Sequence, residues 1–159
     1  MSNARVTRFN VICGNPVNMG TDLEYWRQVK EQAARILEEA IEMNTAAQEE
    51  DYQGVIDGWG DVKYTNEYMD DILKGAGVDT KKVFDTIASN NDQKFTTSYT
   101  YACDSKEALE HLDVDCYLDS TTYEGTLYYV IRRVADNKIL KLKHHESPDL
   151  SIFVPKEFL

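Results

Sequence analysis

The apolar positions along this chain recur at two different periods, and the change of period divides it. Leu23, Trp26, Val29, Ala33, Ile36, Leu37, Ala40 and Ile41 form one stripe at helical spacing. A strand would need strict alternation, so the pattern predicts a long amphipathic helix over about 22–49, with Thr21 or Asp22 as its N-cap. A second helical pattern, about 52–76, carries Val55, Ile56, Trp59, Val62, Tyr68, Met69, Ile72 and Leu73 and stops at Gly75-Ala-Gly77. Gly58 and Gly60 inside it each cost about 1 kcal/mol against alanine, so they are expected to permit close helix approach or to leave room for a ligand. A third helix is predicted over about 80–90, burying Val83, Phe84 and Ile87. Ahead of all three, residues 9 to 20 read as a short apolar opening segment broken by Gly14 and Pro16.

Beyond residue 95 the period shortens. Residues 95 to 102 alternate and are rich in Thr and Tyr, which predicts a strand. Ser105 to Leu112 reads as a short helix capped by Ser105, with Ala108, Leu109 and Leu112 inward. Two β-rich runs, 115–123 and 126–135, meet at Glu124-Gly125 as a β-hairpin. Asp136-Asn137 then marks a turn before a shorter run, 138–142. The expected class is mainly α: a helical core over 1–95 and a small α+β extension with a C-terminal tail over 96–159. No internal repeat or low-complexity segment is present.

Composition narrows the function classes. The 159 residues are 42% hydrophobic and 28% charged, and 28 acidic against 17 basic residues give a formal charge of -11. A surface this negative repels a nucleic-acid backbone. No run reaches the roughly 20 apolar residues of a membrane span, and residues 1 to 8 lack the apolar core of a signal peptide. Cys13, Cys103 and Cys116 are odd in number and widely spaced, so neither a disulfide framework nor a zinc site is suggested. Buried free thiols in a reducing cytoplasm are expected. His144 and His145, in a Lys-His-His-Glu stretch, are expected in a solvated turn.

The chemistry lies in the acids. Glu38 and Glu42 lie one turn apart on the first long helix, with Glu39 turned toward the neighbouring side; Asp57 and Asp61 are one turn apart on the second. Antiparallel pairing of these helices would gather four or five carboxylates in one small volume. Like charges that close repel unless a cation lies between them. Oxygen-only donors select a hard ion, Mg²⁺ above all, with Mn²⁺ as a substitute.

Leu37-Glu-Glu-Ala-Ile-Glu42, followed by Asp57-Gly-Trp-Gly-Asp61-Val-Lys-Tyr64, resembles the all-α NTP pyrophosphohydrolases, the MazG-like and phosphoribosyl-ATP pyrophosphohydrolase-like proteins. Residues 9 to 18, ending Gly14-Asn-Pro-Val-Asn18, look like that family's FGLPVN opening. Gly77-Val-Asp79, Val83-Phe84 and Asn91-Asp-Gln-Lys94-Phe95 look like its GI…VF…SNMSKF run. The resemblance covers residues 9 to 95, and residues 96 to 135 would then be an insertion before a family-like ending.

That resemblance implies an antiparallel helical core and cleavage of a nucleoside triphosphate between the α and β phosphates, giving monophosphate and pyrophosphate. It implies Glu38, Glu39, Glu42 and Asp61 as metal ligands, with Asp57 completing the set. Glu39 or Glu38 would orient or deprotonate the attacking water. Lys94 and Asn91 would contact the nucleotide, with Asn18 and Tyr64 beside it; Asn15 and Trp26 are further candidates, Trp26 fitting the core better. A homodimer or homotetramer is expected. The chain departs from the family in having Gly58 where many members carry Glu, and in placing Asp92 inside the Ser-Asn-Met-Ser-Lys run. The competing expectation is a catalytically inactive relative that binds nucleotides, or a protein through its Tyr-rich tail. Base preference is not legible in the residues.

Overall fold

The computed structural model describes residues 4 to 20 and 22 to 158. It is mainly helical, with one small antiparallel sheet, and its chain forms two compact units. One is Met1–Thr80 with Ser151–Leu159, the other Lys81–Leu150. These units divide at residue 80, and the C-terminal residues return to the first unit.

In the first unit, α1 spans Ala4–Ile12, α2 Leu23–Gln48 and α3 Tyr52–Gly75. The opening segment, read from the sequence as apolar and broken by Gly14 and Pro16, begins within a helix that ends at Ile12. Gly14, at φ +76°, takes the left-handed conformation that follows it. The start of α2 is fixed by Asp22, whose carboxylate accepts the N–H groups of Glu24 and Tyr25; Thr21, the alternative cap, lies outside the described residues. Between α2 and α3 only Glu49, Glu50 and Asp51 intervene. Glu50 turns the chain at φ 58° and Asp51 caps α3 through the Gln53 N–H. So short a connection forces the two helices antiparallel.

Their register is set by small residues. A Cβ on Gly58 would lie 2.7 Å from the Met43 Cβ, and one on Gly54 would lie 2.8 Å from the Ala46 Cβ. Farther along, the Gln32 side-chain amide donates to the Thr65 carbonyl at 2.7 Å. Gly58 therefore serves close approach, whereas a Cβ at Gly60 would meet nothing within 4 Å. The two glycines meet the two expectations separately.

The face that α2 turns inward is not its apolar stripe. Buried or half-buried positions run Tyr25, Gln28, Val29, Gln32, Ile36, Glu39, Ala40, Met43 and Ala46, while Leu23, Leu37 and Ile41 are exposed. Two glutamines sit inside because each has partners. Gln28 donates to the Pro16 carbonyl at 2.6 Å and accepts the Asn18 N–H at 2.8 Å, tying the 15–18 segment to α2. Tyr68 donates to the Asn15 carbonyl at 2.6 Å from α3. Val6, Tyr25, Tyr68 and Ile72 form the core around these bonds, with Val17, Val29 and Phe158 packed against it.

The second unit holds α4 (Thr80–Asp92, whose first residue belongs to the helical unit), β1 (Phe95–Thr96), α5 (Tyr99–Glu110), β2 (Cys116–Tyr123) and β3 (Thr126–Arg133), with strand order β1-β3-β2. α4 matches the third predicted helix, but Phe84 and Ile87 are exposed rather than buried. The strand expected over 95–102 is only two residues long. Ser98 accepts the Tyr101 N–H and starts α5 there. Ser105, expected to cap a helix, lies fully buried in the middle of α5, where its hydroxyl accepts the Lys143 N–H at 3.1 Å. The hairpin forms as expected: Glu124 and Gly125 both have positive φ, as a two-residue turn demands, and Tyr123 pairs with Thr126. The run 138–142 contributes one bridge, Ile139 to Arg132, and no strand. Cys116, Ile131 and Leu142 make this unit's core.

Candidate functional site

Helix pairing decides what the carboxylates can do. With Met43 against Gly58 and Ala46 against Gly54, the antiparallel register puts Glu39 opposite Asp61 and Glu42 between Asp57 and Asp61. Glu39 lies on the inward line of α2, between Ile36 and Met43, and is half-buried; Glu38, Glu42, Asp57 and Asp61 are exposed around it. Partial burial, and then the charges of Asp61, Glu42, Glu38 and Asp57, hold the Glu39 carboxyl above the usual carboxylate range. Four candidate acids from both helices therefore act on the fifth, Glu39.

Other acids on these two helices behave differently. Glu24 and Glu31 both pair with Arg27, Glu67 pairs with Lys63 and Asp70 with Lys74, each one turn away. The hydrogen bond from Arg27 holds Glu24 below the usual carboxylate range, the opposite of Glu39 on the same helix. None of the five candidate acids has an ion pair among the described residues.

Asp57 and Asp61 line an open cleft of about 500 Å³ together with Gly54, Ile56 and Gly60. The missing side chain at Gly60 keeps its floor low. The donors are all carboxylate oxygens, the set that suits a hard divalent ion. Even so, among the described residues no three His, Cys, Asp or Glu side chains converge to hold a metal. A hard ion such as Mg²⁺ takes one or two carboxylates and completes its shell with water and phosphate oxygens. The carboxylates suit such an ion in donor chemistry, but they form no preformed cage among the described residues.

The remaining predicted site residues are distributed. Tyr64 lies one turn beyond Asp61 on the same side of α3 and meets Phe9 edge-on, with ring centroids 6.1 Å apart. It lines a second cleft of about 580 Å³ with Arg5, Arg8, Phe9, Ile12 and Cys13. The arginines escaped the sequence reading because the segment was not recognised as helical. Their spacing with Phe9 and Ile12, at i, i+3, i+4 and i+7, was the available signal. Asn18 lies by the end of α3, since a Cβ on Gly75 would come within 3.3 Å of its carbonyl. That is roughly 20 Å along the helix from Asp61 at 1.5 Å per residue. Its side chain is engaged there, donating to Asp22 and accepting the Gly20 N–H. Trp26 is half-exposed and packs edge-on against Phe158. Asn91 and Lys94 belong to the other unit, where the Lys94 ammonium donates to the Asn91 side chain at 2.7 Å.

The thiols and histidines also differ from expectation. Cys116 is buried, but Cys13 is exposed. His144 stacks on Tyr101, and both ring nitrogens of His145 are buried without a hydrogen-bond partner among the described residues, so that turn is not simply solvated. No helix among the described residues is long and apolar enough to cross a membrane. Compared with protein-family models, curated proteins and solved structures, the chain matches none.

Proposed function

We propose that this chain is a Mg²⁺-dependent nucleoside triphosphate pyrophosphohydrolase, cleaving between the α and β phosphates to release monophosphate and pyrophosphate. One observation carries the reading. Glu38, Glu42, Asp57 and Asp61 are gathered around Glu39 on two antiparallel helices, and none of the five has an ion pair among the described residues, whereas Glu24, Glu31, Glu67 and Asp70 on the same helices do. Unpaired like charges cost stability when nothing binds between them, and a divalent ion with its attached phosphates offsets that cost.

Glu38, Glu39, Glu42, Asp57 and Asp61 would hold the ion. Bound there, it would polarise the phosphoryl oxygens and acidify a water. Glu39 is the group suited to orient that water or take its proton, because its surroundings raise its proton affinity; Glu38 is the alternative. Tyr64, one turn from Asp61, would meet the nucleotide. Asn91 and Lys94 are proposed as further nucleotide contacts, and Asn18 as one acting at the opposite end of α3. Leu37, Ile41, Ile56 and Trp59 are exposed on the helices that carry the acids, which supports a homodimer or homotetramer burying that surface. A reducing cytoplasm suits three free thiols.

The test is a panel of ribo- and deoxynucleoside triphosphates with Mg²⁺ or Mn²⁺, in which the first product is identified. Pyrophosphate is expected; orthophosphate as first product, or no turnover, overturns the proposal. A second reading, a non-hydrolysing relative that binds a protein through its tyrosines, is favoured by one feature. Phe95, Tyr117 and Tyr123 are exposed on the sheet face opposite the Cys116–Ile131 core. Absence of turnover together with nucleotide-independent binding of a partner would favour it.

A further inference from the structure

The helix α1 is basic in an acidic protein. It carries Arg5 and Arg8 and no acidic residue, within a chain whose formal charge is -11. Its two sides are clearly divided. Val6 and Asn10, one turn apart, are buried against the core, and Asn10 donates to the Val6 carbonyl. Arg5, Arg8, Phe9 and Ile12 form the adjoining stripe and line the cleft of about 580 Å³, closed on its α3 side by Tyr64. That volume lies within the roughly 300–1,000 Å³ common for small-molecule sites. The floor is unusually apolar for exposed surface: Phe9 is 53% and Ile12 71% accessible.

From this geometry we infer that the α1–α3 cleft is a nucleoside-phosphate subsite, with Arg5 and Arg8 holding phosphate and the Phe9–Tyr64 pair holding the base. Guanidinium groups present parallel N–H donors that match phosphate oxygens in bidentate fashion. The rings of Phe9 and Tyr64, at 79° to one another, offer one edge and one face, a surface on which any planar base can stack. Tyr64 links the cleft to the chemistry, because Asp61 and Gly60 of the acidic cleft lie three and four residues before it on the same side of α3. The two clefts therefore adjoin, one negative and able to attract a cation, the other positive and able to attract the anion that travels with it. The inference rests on the proposed hydrolase reading for its ligand class, but it concerns binding and can be measured without turnover.

The test is calorimetric titration of the full chain in the presence of a metal chelator, with nucleoside triphosphates, the matching nucleosides and inorganic tripolyphosphate as separate probes. The double substitution Arg5→Gln with Arg8→Gln is expected to weaken triphosphate and tripolyphosphate binding at least tenfold. Phe9→Leu is expected to weaken triphosphate and nucleoside binding several-fold and to leave tripolyphosphate unchanged. Circular dichroism and thermal midpoint verify the fold of each variant. Unchanged triphosphate affinity in both variants overturns the inference. Tripolyphosphate binding as tightly as triphosphate with no effect of Phe9→Leu also overturns it, because the cleft would then not read a nucleoside. A change of sedimenting mass in place of a change of affinity overturns it too, because the cleft would then be an interface between copies. Metal-free binding that depends on Arg5 and Arg8, in a chain releasing no pyrophosphate, would sink the hydrolase and keep the subsite. Pyrophosphate release with unchanged KM in the arginine variant would do the reverse.

Discussion

The acidic cluster of the helical unit and the ion pairs of the sheet unit treat charge in opposite ways. In the sheet unit the principal acids are neutralised locally: Asp119 by Arg132 at 2.7 Å, Asp136 by Arg133 at 2.6 Å, and Glu110 by Lys106. The Arg133 hydrogen bond lowers the Asp136 carboxyl to about 2. In the helical unit, Glu39 is held above its ordinary value by partial burial first and then by the charges of four neighbouring acids. Each unit buries one isoleucine completely, Ile131 in the sheet unit and Ile72 in the helical one, but beside the carboxylates α2 and α3 leave Leu37, Ile41, Ile56 and Trp59 exposed. Paired charge and closed apolar surface serve folding alone. Unpaired charge and open apolar surface are costs to an isolated domain, and they coincide where binding is proposed.

Substitutions can break that contrast. The largest effect is expected from Glu39→Gln, which should lower pyrophosphate release by about two to four powers of ten, the usual contribution of a positioned base. Glu31→Gln, at an acid of the same helix that has its arginine, should change release less than about twofold. Equal losses in the two variants would show that the difference between paired and unpaired acids has no functional meaning. Core truncation comes next. Ile131→Ala in the sheet unit should cost about 2–5 kcal/mol in denaturant unfolding. Leu37→Ala, at a 60% exposed site, should cost little in the fold and show instead as weaker self-association by sedimentation.

The glycines provide a finer comparison within α3. A Cβ at Gly58 would press on both the Cα and Cβ of Met43, so Gly58→Ala should destabilise by about 1–3 kcal/mol and shift the helix register. Gly60→Ala meets no atom and should stabilise by up to about 1 kcal/mol, while its methyl group narrows the acidic cleft and slows turnover. Chemical denaturation of both variants separates close approach from open space.

The smallest effect is a pH dependence. A carboxyl raised above its ordinary value near 4.5 favours the folded state while protonated. Its contribution is fully present below that value and is lost as pH rises through the raised one. In chelator, Glu39→Gln should therefore match the parent in thermal midpoint near pH 4 and exceed it at pH 7. Added Mg²⁺ should reverse the order at pH 7. A midpoint difference independent of pH would detach Glu39 from its acidic neighbours.

Much of this molecule was legible in its residues, for local reasons. The helices α2, α3 and α4 follow from the period of their side chains. The hairpin follows from Glu124-Gly125, whose backbone a two-residue turn requires. Glu38, Glu39, Glu42, Asp57 and Asp61 stand out because they border apolar positions and none has a lysine or arginine four residues on. Other features needed the folded chain. Periodicity identified an apolar stripe on α2 but not what covers it, and within one chain Gln28 and Gln32 are buried instead, since Pro16, Asn18 and Thr65 satisfy them. Ser105 resembled a cap until Lys143, distant in sequence, supplied its partner, and α1 was hidden by the Gly14 and Pro16 that follow it. Spacing along a helix sets which side chains share a face. Contacts between residues far apart in the chain choose which face is inside, and with it the placing of Glu39, alone among the five, between the two helices.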